Sequence, residues 1–164
     1  TNMGLENYLN KQNINLIRAN VGDRYVVEKM KINNCNIGGE QSGHIIIGDH
    51  GSTGDGLVAS LQVIATMIEK NKKASEILNI FSLFPQLIES IDYNIAKFIY
   101  KKTDPFIINK IKYAENILGK NSRIILRASG TEHKLRIMGE ASNKNLLSKT
   151  LKELKIEIQN YING

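Results

Sequence analysis

Apolar residues recur along this chain with two periods, and each change of period marks a new element. Residues 3–12 (MGLENYLNKQ) read as an amphipathic helix, and 14–19 (INLIRA) read as a strand. In 23–33 (DRYVVEKMKIN), Tyr25, Val26, Met30 and Ile32 share one helical face. Residues 44–49 (HIIIGD) form a short β-branched run bounded by glycines, the pattern of a buried strand. Ser52, Thr53 and Asp55 then offer capping oxygens before GLVASLQVIATMIEK, where Leu57, Leu61, Ile64, Ala65 and Ile68 fall at helical spacing. A shorter helical pattern covers 74–81 and stops before Pro85.

Beyond Pro85 the texture changes. Residues 86–95 (QLIESIDYNI) suit an extended strand, and 105–118 suit a helix with Pro105 at its start and Gly119 past its end. RIILRA (123–128) and KLRIMGE (134–140) are two strands joined by a short polar loop. The closing helix, 145–162, carries Leu147, Leu151, Leu154 and Ile158 on one face. The first half thus reads as mixed α/β and the second as α+β, with a boundary near 82–88. No internal repeat or low-complexity linker interrupts them.

Composition narrows the classes. The chain has 164 residues, 41% hydrophobic and 23% charged, as in a soluble globular protein. It contains no apolar run of the roughly 20 residues that span a bilayer, and its first residues lack a signal-peptide pattern. One cysteine, Cys35, excludes an internal disulfide framework and a cysteine-built metal site. The cytoplasm is the expected compartment. The net charge of +6 is spread along the chain, not gathered into a stripe with interleaved aromatics, which argues against a nucleic-acid interface. The densest basic stretch, KNKK at 70–73, follows a helix and reads as solvated surface. Excess positive charge also suits a pocket for small anions.

Two polar loops ask for a ligand. In Gly39, Glu40, Gln41, Ser42, Gly43 and His44, the glycines let backbone approach a ligand closely or take positive φ. Glu40 accepts hydroxyl hydrogen bonds, while Ser42 and His44 donate or accept, a mixture suited to vicinal sugar hydroxyls. A loop whose side chains cap its own backbone would show the same residues. Ser42, His44 and Asp49 do not make a hydrolase nucleophile elbow, because Gly-x-Ser-x-Gly is absent.

The second loop is Arg127, Ala128, Ser129, Gly130, Thr131 and Glu132, with Arg136 beyond it. A Ser-Gly-Thr turn between strands exposes successive N–H groups, a nest for an anion. Arginines at entry and exit supply bidentate bonds to phosphate oxygens. The plain alternative is a hairpin loop with two surface arginines. Asp23 and Arg24 suit a ligand or a helix start, where Asp23 caps. His50 and His133 match no metal-ligand spacing.

VGDRYV (21–26), GGEQSGH (38–44), TGDG (53–56), LFPQ (83–86) and RASGTE (127–132) stand in the order found in bacterial phosphoglucosamine mutases. The chain therefore resembles the α-D-phosphohexomutase superfamily over essentially its whole length. The resemblance implies most of that family's third domain, sugar-binding, in residues 1–84. It implies the fourth, a TBP-like phosphate-clamp domain, in 85–164. It also implies that Glu40 and Ser42 hold sugar hydroxyls, that His44 lies near the reacting end, and that Gln41 marks the glucosamine branch. Arg127, Ser129, Gly130, Thr131 and Arg136 would grip the phosphate not being transferred. His133 stands where the family usually has proline, and Gly139 where it usually has valine, departures that bear on the stiffness of the clamp loop.

By the same resemblance the full enzyme interconverts glucosamine 6-phosphate and glucosamine 1-phosphate for UDP-N-acetylglucosamine and cell-wall synthesis. It would work through a phosphoserine and a glucosamine 1,6-bisphosphate intermediate, with Mg2+. The phosphoserine and magnesium loops do not occur in these residues. The chain is thus expected to be a C-terminal fragment, inactive alone, whose partners are the phosphosugar and the N-terminal domains. The rival readings are a phosphomannomutase or phosphoglucomutase, and a non-catalytic phosphosugar-binding module.

Overall fold

A computed structural model describes residues 1–94, 98–129 and 132–164. By their contacts these fall into two units, one of residues 1 and 3–82, the other of residues 2 and 83–164.

The first unit holds α1 (Met3–Lys11), α2 (Asp23–Ile32), β1 (Ile37–Gly39), β2 (Ile45–Ile47), α3 (Gly56–Lys70) and α4 (Ala74–Leu78). β1 and β2 form an antiparallel ribbon that pairs Ile37 with Ile47, Gly38 with Ile46 and Gly39 with Ile45. α2 packs on this ribbon through Val26 and Met30, which with Ile46 make a small buried cluster. Gly38 permits that approach, since a β-carbon there would stand 2.6 Å from Val26 Cγ1 and press on Met30 as well. α3 starts where the Asp55 carboxylate accepts from the N–H groups of Leu57 and Val58 at 2.9 and 3.0 Å. Asn71 ends it in the left-handed conformation, with φ of 48°.

Three local expectations need correction. Residues 14–19 are not a strand: among the described residues they pair with no other strand, and β propensity without a partner does not make a sheet. The helix expected over 74–81 ends at Leu78, because Asn79 leaves helical geometry at φ −91°, ψ 56°. Asp23 is the first helical residue, not the cap. Gly22 occupies the cap position, and the Asp23 carboxylate instead accepts from the Arg24 N–H at 2.7 Å.

The second unit is an open-faced α+β layer. Its strands are β3 (Gln86–Asp92), β4 (Ser122–Ala128) and β5 (Lys134–Ala141), all antiparallel in the order β3-β5-β4. Two helices, α5 (Pro105–Leu118) and α6 (Lys144–Asn163), cover one face. Alternation assigns Leu135, Ile137, Gly139 and Ala141 of β5 to the covered face, against Leu147, Leu151 and Ile158 of α6. Each fully buried leucine or isoleucine contributes about 1.5–3 kcal/mol of transfer free energy. Asp104 caps α5 ahead of Pro105, and Asn143 caps α6. Phe106 of α5 stacks on Tyr161 of α6 with ring centroids 4.1 Å apart.

Gly139 has a packing role. It lies inside β5, three residues beyond Arg136, and a β-carbon there would stand 2.9 Å from methyls of both Leu147 and Leu151. Its absence of side chain lets α6 settle on the sheet, so this departure from the family pattern concerns the core and not the loop.

Candidate functional site

The first polar loop is the tip of the β1–β2 hairpin. Glu40 N–H donates to the His44 carbonyl at 2.9 Å, and Gly43 N–H to the Glu40 carbonyl at 3.1 Å. Gly43 takes φ of +99°, a conformation that favours glycine. The turn brings Glu40, Ser42 and His44 into mutual contact. Ser42 Oγ lies 3.3 Å from Glu40 Oε2 and 3.0 Å from His44 Nδ1, and His44 Nδ1 lies 3.8 Å from Glu40 Oε2. The Glu40 side chain is 17% exposed and that of His44 51%. Gln41 is exposed at the tip.

Two neighbouring motifs support this tip. The Gly22 N–H donates to Glu40 Oε1 at 2.7 Å, so VGDR is bound to the loop through a carboxylate oxygen. On the other side Asp55 N–H donates to the Ile45 carbonyl at 3.3 Å, which brings TGDG against the hairpin. A β-carbon on Gly54 would stand 3.4 Å from His44 Cβ and Cδ2, so that glycine backs the imidazole. The Gly22 contact spans eighteen residues and was not legible in the sequence. Gly22, conformationally special at φ +126°, was its one available signal. Arg24 lies over the Tyr25 ring, 4.5 Å from its centroid, and donates to the Tyr25 hydroxyl at 2.6 Å.

The second loop joins β4 to β5. Sheet register places Arg127 directly opposite Arg136, so both guanidinium stems leave the same face, the one α5 and α6 do not cover. Arg136 donates to Glu132 at 3.2 Å, while among the described residues Arg127 has no ion-pair partner. Like charges directly opposed on paired strands repel, and an anion placed between them removes that cost. Ser129 N–H donates to the Lys134 carbonyl at 2.8 Å, closing the loop base. Gly130 and Thr131 lie outside the described residues.

Two rows further along the same face, Glu140 is fully buried. It accepts from Arg123 at 2.8 Å and from Asn2 Nδ2 at 3.4 Å. The His133 carbonyl accepts from Tyr93 N–H at 3.2 Å. Its residue helps line an open concavity of about 540 Å³ with Asp92, Tyr93, Asn94 and Asn163. No arginine lines that wall and a carboxylate does, so it is no substitute for the arginine pair as an anion site.

His50 Nε2 lies 3.2 Å from Gln62 Nε2, which places it beside α3 and away from the hairpin tip. Among the described residues no three His, Cys, Asp or Glu side chains gather to hold a metal ion. No described helix is long and apolar enough to cross a membrane.

Comparison with known proteins identifies the family. Residues 1–84 match the family described as phosphoglucomutase/phosphomannomutase, alpha/beta/alpha domain III. Residues 64–156 match phosphoglucomutase/phosphomannomutase, C-terminal domain. The phosphoglucosamine mutase of Pelagibacter ubique is 50% identical over 152 residues, covering 93% of this chain and 33% of the relative. N-acetylphosphoglucosamine mutase of Aspergillus fumigatus superposes with a TM-score of 0.81 at 16% identity, over 99% of this chain and 37% of that one. The same fungal enzyme in complex with GlcNAc-6P and magnesium gives a TM-score of 0.71 at 15% identity, over 94% and 39%. The chain spans about a third of the length of the curated relatives it matches.

Proposed function

The chain belongs to the phosphoglucomutase/phosphomannomutase family, and from that premise we propose that it supplies sugar and phosphate recognition in a phosphoglucosamine mutase. In this reading residues 1–84 hold the sugar and 85–164 hold its non-transferred phosphate. Glu40, Ser42 and His44, with Gln41 beside them, meet the hydroxyls. Arg127, Arg136 and the 129–131 turn meet the phosphate. The whole enzyme interconverts glucosamine 6-phosphate and glucosamine 1-phosphate through a phosphoserine and the 1,6-bisphosphate, in the cytoplasm. A substrate that must turn over between two half-reactions needs contacts serving both orientations. Hydroxyl, imidazole and carboxylate groups at an exposed loop tip are such contacts.

The observation that carries this reading is the opposed pair Arg127 and Arg136, because two like charges aligned on a face that α5 and α6 do not cover repel until an anion lies between them. The residues described here gather no ligand set for magnesium, so the metal and the nucleophilic serine are assigned to the part of the family's length that this chain does not span.

The test is calorimetric titration of this chain with glucosamine 6-phosphate, beside a coupled mutase assay. Weak, phosphate-dependent binding without turnover is expected, because closure against further domains would exclude water and strengthen each polar contact. Turnover above background would overturn the assignment of the chemistry to other residues. A panel of glucose and mannose phosphates on the whole enzyme separates the glucosamine reading from a phosphomannomutase or phosphoglucomutase.

A further inference from the structure

We propose that Glu40 and Ser42 are positioning residues that hold neutral His44 as the Nδ1–H tautomer, leaving Nε2 as a hydrogen-bond acceptor. The proposal deepens the reading of this hairpin as a sugar-hydroxyl site and rests on it only for the identity of the group that Nε2 meets.

The argument counts protons. Three groups meet at the hairpin tip: Glu40 Oε2, Ser42 Oγ 3.3 Å away, and His44 Nδ1 3.0 Å from the serine oxygen. An ionised carboxylate only accepts, and a hydroxyl carries one proton. If that proton pointed at Nδ1, Glu40 Oε2 would face a serine lone pair at 3.3 Å and the imidazole lone pair at 3.8 Å. Three acceptors would then crowd two contacts with a single proton. If Ser42 instead donates to the carboxylate, it makes a charge-assisted bond. Nδ1 must then carry the hydrogen and donate it to Ser42 Oγ. The carboxylate at 3.8 Å also favours a positive N–H dipole at Nδ1 over a lone pair. Both electrostatic preferences select one tautomer, the opposite of the Nε2–H form that an isolated histidine side chain favours.

The anchor is fixed independently of the histidine. Glu40 spends Oε1 on the Gly22 N–H at 2.7 Å, which aims Oε2 at Ser42. Gly54 lies beside Cβ and Cδ2 of His44, where a β-carbon would stand 3.4 Å from each, and the side chain as a whole is half-exposed. The neutral Nε2 edge therefore accepts from an O–H or N–H donor and offers nothing to a phosphate oxygen. His44 selects a sugar hydroxyl or amino group, and anion binding falls to the arginine pair.

The test is two-dimensional proton–nitrogen NMR of the imidazoles in the whole 164-residue chain, at alkaline pH where histidine is neutral. The His44 resonances are assigned by their loss in His44→Gln. In the wild type Nδ1 is expected to give the pyrrole-type signal and Nε2 the pyridine-type signal. Ser42→Ala should move the population toward the Nε2–H form without emptying the other, since the relay is cut while the Glu40 carboxylate, still bound to Gly22, keeps its weaker pull on Nδ1. Ser42→Thr should restore the wild-type pattern. Unmoved His50 and His133 signals report that each variant is folded. An Nε2–H tautomer in the wild type, or a pattern indifferent to Ser42→Ala, overturns the proposal. Titration with glucosamine 6-phosphate adds a separate readout. A correct tautomer whose Nε2 signal ignores the sugar leaves the relay intact and refutes the sugar-site reading instead.

Discussion

The two units use similar amounts of chain and reach different degrees of burial. Among the described residues, the core of the second unit gathers thirteen buried residues from β3, β4, β5, α5 and α6. That of the first gathers Val26, Met30 and Ile46. Yet the apolar stripe of α3 is as regular as that of α6. Leu57, Leu61, Ile64 and Ile68 follow helical spacing and stay between 49% and 76% exposed. Periodicity says that a helix has a face to bury, not what buries it. In the second unit a sheet lies under the face. In the first, the described chain supplies only a three-residue ribbon, and the apolar surface exceeds what its own elements cover.

The candidate sites inherit this contrast. The hairpin site is made by side-chain bonds, Ser42 to His44 within the turn and Glu40 to Gly22 across eighteen residues, on a small core. The arginine site is made by register, because β4 and β5 align Arg127 with Arg136 through a ladder locked by α6.

The sharpest way to break the comparison is a pair of leucine deletions. Leu151→Ala, at a fully buried position, should destabilise the second unit by about 2–5 kcal/mol in denaturant titration. Leu61→Ala, on the exposed stripe, should change stability by less than about 0.5 kcal/mol. Equal losses would mean that the α3 face is covered in solution, for example by a second copy of the chain.

Arg127→Ala probes the register-made site and should act with opposite signs on two measurements. Phosphosugar binding should fall by roughly 1.5–3 kcal/mol, the worth of a charge-assisted bond. The melting temperature without anion should rise at low salt, because up to about 1 kcal/mol of repulsion against Arg136 is relieved. Arg127→Lys keeps the repulsion and loses the fork, so it should weaken binding less and stabilise nothing. A variant that binds normally removes Arg127 from the clamp.

Gly139→Val tests how tightly α6 is seated. Overpacking should cost about 1–3 kcal/mol, and Leu151→Ala should offset part of it when the two are combined. Strict additivity in that double-mutant cycle would show that the helix does not press on Gly139.

The smallest effect is alkaline. The Tyr100 hydroxyl donates to the Leu126 carbonyl at 2.9 Å, and burial pushes its pKa above the usual 10.0. The folded state prefers the neutral phenol, so this stabilisation is complete below the ordinary tyrosine range. It is lost as pH rises through that range toward the folded value. Denaturation followed across this range should show the second unit weakening with pH, and Tyr100→Phe should flatten that slope.

Much of the fold was legible locally. Helices α2, α3, α5 and α6 follow from apolar spacing, and the start of α3 and both ends of α5 from Asp55, Pro105 and Gly119, since capping is settled within a few residues. The β4–β5 hairpin and both polar loops were legible for the same reason. β1 was not, because Ile37, Gly38 and Gly39 carry little strand signal and become one only beside Ile45, Ile46 and Ile47. Residues 14–19 show the converse, a strand-like pattern with no neighbour to pair.

Sequence by itself singled out the candidate residues, because glycine, serine, arginine and carboxylate grouped in a turn suit a polar ligand as well as a loop that caps its own backbone. Tertiary structure alone decided how they are aimed. That Glu40 spends one oxygen on Gly22, that Arg127 faces Arg136, and that Asn2 meets Glu140 from 138 residues away are outcomes of register and packing. A side chain's type is written locally, but its partner is chosen by whichever backbone the fold brings within about 3 Å of it.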